Sequence, residues 1–234
     1  MEELINELAS LVGEQSISLE LDMGAINGLK KMPVDVFDGV YLGEAHNDAL
    51  ILCLDVRNFS EFLLSQADDT VFMLIKEFTI NLLSCINHFA YGCSYYKFLG
   101  DGVLVIWDHC SETALNEALE IFNTYSGFLN DDLFKQFEGL GLGGALVKEK
   151  VFKYEISAEL SHLKYRDYVG YGINLACRLQ AMAGVDELVL NERLANTKLV
   201  PFRVDESPKI LKDLHLLKGL LKDDQKHVLF YDKK

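Results

Sequence analysis

The chain has little positive charge: 22 lysines and arginines stand against 36 aspartates and glutamates, a formal net charge of -14 at neutral pH. That surplus of carboxylates repels phosphate backbones and anionic lipid surfaces at long range, so neither nucleic acid nor a membrane surface is an expected partner. Long apolar runs are missing as well. None approaches the roughly 20 residues needed to span a bilayer, and the start Met1-Glu2-Glu3 lacks the basic region of a signal peptide. A cytoplasmic protein is the expectation. The cysteines Cys53, Cys85, Cys93, Cys110 and Cys177 are odd in number and include no C-x-x-C pair; reduced, mostly buried thiols follow. The histidines His46, His88, His109, His162, His215 and His227 form no ligand-spaced set. Internal repeats and low-complexity segments are absent too.

What is present suffices for a sizeable core. Of 234 residues 50% are apolar, enough for one large domain or one domain with an appendage. The expected division is a lead-in over residues 1–46 and a folded domain over residues 47–234. Within the lead-in, Leu4, Ile5, Leu8, Leu11 and Val12 fall on one face of a short helix over residues 2–12. Alone it is marginal, so it docks on the body or on a second copy. Residues 13–48 are broken by glycines and read as a lead-in with short strands.

From Ala49 the pattern sharpens. The run Ala49-Leu50-Ile51-Leu52-Cys53-Leu54 reads as a buried strand that exits at Asp55. Asp68-Asp69-Thr70 supplies capping chemistry for a long helix whose apolar face is Val71, Leu74, Ile75, Phe78, Leu82, Cys85, Ile86 and Phe89, ending near Gly92. Two β-rich runs joined through Gly100-Asp101-Gly102 predict a hairpin. A second helix follows over residues 111–128, with Leu115, Ala118, Leu119 and Phe122 facing inward, and a strand over residues 140–147. The order β-α-β-β-α-β predicts an α+β, ferredoxin-like palm with its helices on one face of an antiparallel sheet. Residues 148–166 look like an excursion from that sheet. Beyond Gly172 come a helix over residues 173–182 and strand candidates over residues 187–190, 199–204, 211–217 and 226–231.

Two carboxylates in this pattern are poorly explained by packing. Asp55 ends the first strand and Asp101 tips the hairpin; with the hairpin beside that strand, both meet at one sheet edge, which outlines a divalent-metal site. Asn174 and Arg178 are four apart and share a helix face. Plainer roles are open to each residue. Asp101 suits a turn, Asp55 a helix cap, Lys97 a solvated strand position, Asn174 and Arg178 an exposed helix face, and Asp167 a loop.

Taken together, Leu54-Asp55-Val56-Arg57-Asn58-Phe59-Ser60, Lys97-Phe98-Leu99-Gly100-Asp101-Gly102 and Asp167-Tyr168-Val169-Gly170-Tyr171-Gly172-Ile173-Asn174-Leu175-Ala176-Cys177-Arg178 resemble the class III nucleotidyl cyclase catalytic domain. The resemblance covers roughly residues 47–232. It implies a palm that pairs head to tail as a homodimer, with a nucleoside triphosphate in composite grooves, and conversion of that substrate to a 3′,5′-cyclic nucleotide and pyrophosphate. Asp55 and Asp101 match the metal-binding aspartates, and the Val56 carbonyl a backbone ligand, for two Mg²⁺ or Mn²⁺ ions per site. Lys97 and Asp167 match the base-reading pair. Asn174 matches the ribose-orienting residue and Arg178 the transition-state residue, while Lys218, in Leu217-Lys218-Gly219, lies near a late phosphate-binding lysine. In the family pattern the two aspartates of one chain face Lys97, Asp167, Asn174 and Arg178 of the other. The residue types suit the chemistry: two cations about 4 Å apart assist both the attacking ribose oxygen and the leaving pyrophosphate, and an arginine offsets charge on the transferring phosphoryl group.

Lys97 with Asp167 implies adenine, but Tyr171 follows Gly170 where family members commonly have Asp or Asn, and the stretch before Asp167 is long. The layout, a bare catalytic domain with a lead-in of about 45 residues and no recognisable sensor, resembles the stand-alone pyrimidine cyclases of bacterial Pycsar antiphage systems. By that analogy UTP or CTP stands slightly ahead of ATP. A catalytically idle, nucleotide-binding regulatory module is the alternative of another class; intact Asp55, Asp101, Asn174 and Arg178 argue against it. A diguanylate cyclase is weaker still, because the hairpin lacks the Gly-Gly-acidic-acidic-Phe signature.

Overall fold

The computed structural model describes residues 39–133, 135, 140–158, 163–197, 199 and 228–232. The chain divides into two compact units, Met1–Gly39 with Ile156–Lys164 and Val40–Glu155 with Tyr165–Lys234. The second unit holds the candidate site. Its elements are β1 (Gly39–Arg57), α1 (Phe59–Leu64), α2 (Asp68–Phe89), β2 (Tyr95–Phe98), β3 (Gly102–Trp107), α3 (Glu112–Phe128), β4 (Gly141–Ala158), β5 (Leu163–Val169), α4 (Tyr171–Gln180), β6 (Glu187–Asn191), α5 (Glu192–Ala195) and β7 (Val228–Asp232); β1 starts in the first unit, and the far ends of β4 and β5 lie there.

One sheet runs in the order β2-β3-β1-β4-β6-β7, with β5 on β4. β1 pairs antiparallel with β3 from Leu50↔Trp107 to Asp55↔Gly102, β2 and β3 form the hairpin, β6 and β7 are antiparallel, and β4 runs parallel to β6. Strand parity then sorts the core. Leu50, Leu52, Leu54 and Val56 of β1 pack with Leu74, Phe78 and Leu82 of α2 and with Leu115 and Phe122 of α3. Ala49, Ile51 and Cys53 point the other way, onto Leu175, Ala176 and Leu179 of α4. Asp55 and Arg57 share that second parity, so the strand that builds the core also aims the site at the α4 face.

The α+β palm expected from the element order is present. Several details differ. Helices cover both faces, because the odd-numbered residues of β1 are apolar as well and need α4 to exclude water. Residues 39–48 belong to β1 and are not a separate lead-in. Residues 148–166 largely stay in the sheet: β4 continues to Ala158 and β5 returns along it. There Val151 is buried and Phe152 exposed, so the strand alternates where β1 reads as a continuous apolar run. α2 is capped by Ala67 without a side-chain bond, and Asp68 and Asp69 fall in its first turn, where they favour the helix dipole instead. Ile75 lies on its solvent side, 43% exposed. α3 starts as expected, with Ser111 accepting from the Ala114 amide at 3.1 Å. α1 had no counterpart in the sequence pattern. The helix over residues 2–12, the strand candidates over residues 199–204 and 211–217, and Lys218 lie outside the described residues. Among the described residues no helix is long and apolar enough to cross a membrane.

Candidate active site

The register that sets Asp55 opposite Gly102 brings the end of β1 against the hairpin loop that carries Asp101. Gly102 is needed for that approach: a Cβ there would stand 2.4 Å from the Leu54 carbonyl oxygen and 3.1 Å from Asp55 Oδ1. Asp55 Oδ1 thus faces the hairpin, while Oδ2 accepts from Arg57 Nη2 at 2.6 Å and from Gln180 Nε2 at 3.0 Å. Burial, and then the negative charge of Asp55, push the Asp101 carboxyl above its ordinary range. Two carboxylates crowded in this way suit a hard divalent cation, which relieves both the burial and the repulsion. Among the described residues no third His, Cys, Asp or Glu joins them. Backbone and substrate oxygens would complete a coordination shell.

A second cluster forms where β2 faces β5. Lys97 Nζ donates to Asp167 Oδ2 at 2.7 Å, Tyr165 donates to the same oxygen at 2.5 Å, and Tyr95 donates to Oδ1 at 2.8 Å. The Tyr168 amide also donates to Oδ1, at 2.8 Å. Asp167 is buried, 7% exposed, whereas the Lys97 side chain is 41% exposed. Burial alone would raise the Asp167 pKa; the bonds from Lys97, Tyr165 and Tyr95 outweigh it and hold the carboxyl at about 2.

Asn174 and Arg178 lie on the exposed side of α4. Leu175, Ala176 and Leu179 hold that helix on the sheet, and the Cys53 thiol reaches the Cys177 sulfur at 3.9 Å. Among the described residues neither Asn174 nor Arg178 forms a hydrogen bond or ion pair with Asp55 or Asp101 of the same chain.

No family model matches the chain. A Rickettsia akari (strain Hartford) protein whose name proposes an adhesin is 38% identical over 65 residues, 28% of this chain and 29% of that protein. An uncharacterised Rickettsia conorii (strain ATCC VR-613 / Malish 7) protein is 37% identical over 65 residues. The chain therefore covers under a third of the length of the curated relatives it matches. Solved structures align far more broadly. The guanylyl cyclase Cya2 superposes with a TM-score of 0.58 at 17% identity, over 81% of this chain and 92% of that one. The catalytic core of a rhodopsin-guanylyl cyclase with converted specificity, in complex with ATPαS, gives 0.57 at 14% identity over 82% and 97%. The adenylyl cyclase CyaB from P. aeruginosa gives 0.54 at 17% identity over 64% and 80%. The chain has the cyclase palm fold.

Within the cyclase palm, four residues that contact the expected site were not singled out from the sequence: Arg57, Tyr95, Tyr165 and Gln180. Three of them carry a readable signal. Arg57, Tyr95 and Tyr165 each stand two positions from Asp55, Lys97 or Asp167 on a strand, and positions two apart share a face. Gln180 carries none, since its contact with Asp55 joins residues 125 apart in sequence.

The second cluster makes an acid-stability prediction. The folded Asp167 pKa of about 2 lies below the ordinary 3.8, so the folded state binds fewer protons between those values. The stabilisation is complete above pH 3.8 and is lost as pH falls through about 2. Its size is about 2 kcal/mol. Asp101 is shifted upward and works in the opposite direction. Asp167→Asn should flatten this part of the acid limb in denaturant melts taken at stepped pH; an unchanged slope would show that the cluster does not hold Asp167 charged.

Proposed function

We propose that the protein is a nucleotidyl cyclase acting as a homodimer with composite sites. The convergence of Asp55 and Asp101 where the paired strands β1 and β3 meet the hairpin loop carries this reading, because it supplies two hard oxygen ligands of the kind a cyclase palm needs. Asp55 and Asp101 would hold two Mg²⁺ or Mn²⁺ ions, with the Val56 carbonyl as a further ligand; bound cations would acidify the ribose 3′-hydroxyl and offset charge on the leaving pyrophosphate. Asn174 orients the ribose and Arg178 stabilises charge on the transferring phosphoryl group. Both project from α4 of the opposite chain, which explains why neither meets the carboxylates of its own.

For the base, a pyrimidine is the proposed preference. Four donors already engage the two oxygens of Asp167, leaving little capacity to accept from an exocyclic amino group, whether adenine's or cytosine's. Tyr165 also stands beside Lys97, accepting from its Nζ at 3.4 Å. UTP, whose base has no amino group, should therefore exceed ATP in kcat/KM, with CTP retained as the other pyrimidine by ring size; a pyrimidine product would fit the antiphage signalling role of the cyclases that the layout resembles. The test is incubation with each of the four nucleoside triphosphates and Mn²⁺, with products identified by mass. Preference for ATP would mean that Asp167 exchanges a tyrosine for adenine and that the enzyme makes cyclic AMP. A second reading, an idle nucleotide-binding module, is favoured by the engagement of Asp55 with Arg57 and Gln180; binding without any product would support it.

A further inference from the structure

We infer that Arg57 is a built-in counter-ion of the carboxylate pair, which holds Asp55 Oδ2 and must be displaced before the site takes its full complement of divalent cations. The inference rests on Asp55 and Asp101 being the cation ligands proposed above.

The geometry separates the two oxygens of Asp55. Oδ1 faces the hairpin and Asp101, whereas Oδ2 is occupied from the other side by Arg57 at 2.6 Å and Gln180 at 3.0 Å. Asp55 cannot use both oxygens as cation ligands while that arrangement persists. Gln180 is neutral and can remain as an anchor. Arg57 carries a full positive charge, and repulsion between like charges at such short range costs roughly a factor of ten or more in affinity.

Arg57 is also only partly secured. A guanidinium has five N–H donors, yet Arg57 Nε is buried with no hydrogen-bond partner among the described residues, and Asp55 is the acid that Arg57 pairs with there. Gly143 provides the space it lies in: a Cβ at that position would stand 2.8 Å from Nε and 3.0 Å from Cδ. A charged group that among the described residues is tied by one side-chain acceptor, against a glycine, can leave when a better-placed charge arrives. A nucleoside triphosphate brings both the compensating negative charge and phosphate oxygens for the displaced guanidinium. Complete loading would then be linked to substrate binding.

The test is calorimetric titration of the full chain with Mn²⁺ alone, without nucleotide. Arg57→Gln should bind Mn²⁺ about tenfold or more tightly than wild type, and Arg57→Lys, which keeps the charge, should stay within about twofold. An arginine with a merely structural role gives the opposite sign, weaker binding on removal. Equal or weaker binding by Arg57→Gln overturns the inference. In the wild-type protein, the Arg57 Nε resonance should shift when Mg²⁺ is titrated in the presence of a non-cyclisable nucleoside triphosphate analogue, as the guanidinium leaves Asp55; an unmoved resonance at saturation with both overturns it without any substitution. Asp55→Ala is the separate control. If it binds Mn²⁺ as wild type does, the carboxylate site itself is misassigned, a failure distinct from that of the counter-ion.

Discussion

Asp55→Ala and Asp101→Ala are each expected to reduce cyclic-nucleotide formation to background, while their effects on stability go in different directions. Loss of activity follows from the proposed chemistry, in which one carboxylate alone would not close the coordination shell of two cations. The stability effects follow from the partners. Asp101 is a carboxyl held above its ordinary range by burial and by Asp55, so its removal relieves a cost and should leave the melting temperature equal or higher. Removing Asp55 strips Arg57 of its ion-pair partner, and the arginine side chain is only 15% exposed. An uncompensated, largely buried charge is destabilising. Asp55→Ala should therefore melt lower, and Asp55→Asn, which retains an acceptor for Arg57 and Gln180, should recover much of the loss while remaining inactive. Initial rates with Mn²⁺ and thermal melts of the same preparations check both parts. Near-wild-type turnover in either alanine variant would remove the carboxylates from the mechanism.

Mixing inactive Asp55→Ala chains with inactive Arg178→Ala chains is expected to restore activity, up to about half the wild-type value per heterodimer. Arg178→Ala alone should lower kcat by roughly 10² to 10³, the range for losing one preorganised charge-stabilising group. In the proposed twofold dimer each groove takes Asp55 and Asp101 from one chain and Asn174 and Arg178 from the other. The mixed dimer then places both lesions in one groove and leaves its mate intact. Within a single chain Arg178 sits on the exposed side of α4 and contacts neither carboxylate among the described residues, so an autonomous single-chain site offers it no task. Rates should be read after subunit exchange at several mixing ratios, with the maximum near equal amounts. Mixtures that stay as inactive as the separate variants after exchange would refute the shared groove.

Local sequence by itself determined the pieces of the candidate site. The continuous apolar run to Leu54 specifies a strand buried on both faces, and its end presents Asp55. Gly100-Asp101-Gly102 between two β-rich runs specifies the hairpin, realised with the Leu99 amide donating to the Gly102 carbonyl at 2.9 Å. Asn174 and Arg178 share a helix face because 3.6 residues make a turn. Such signals are legible because periodicity and turn chemistry act within a few residues. What tertiary structure alone decided is which faces meet. Lys97 and Asp167 are 70 residues apart, and the tyrosines that saturate Asp167 reach it only because β5 folds back on β4 and faces β2. The stretch that builds that return reads as an excursion, since β4 past Val147 alternates Val151 in and Phe152 out and loses the unbroken apolar run. The grip of Gln180 on Asp55 likewise requires α4 to pack on the second face of the sheet, a choice made by the burial of Ile51 and Cys53 against Leu175 and Leu179. Pairings across 70 or 125 residues are set by how whole apolar faces exclude water together, and no local window contains that information.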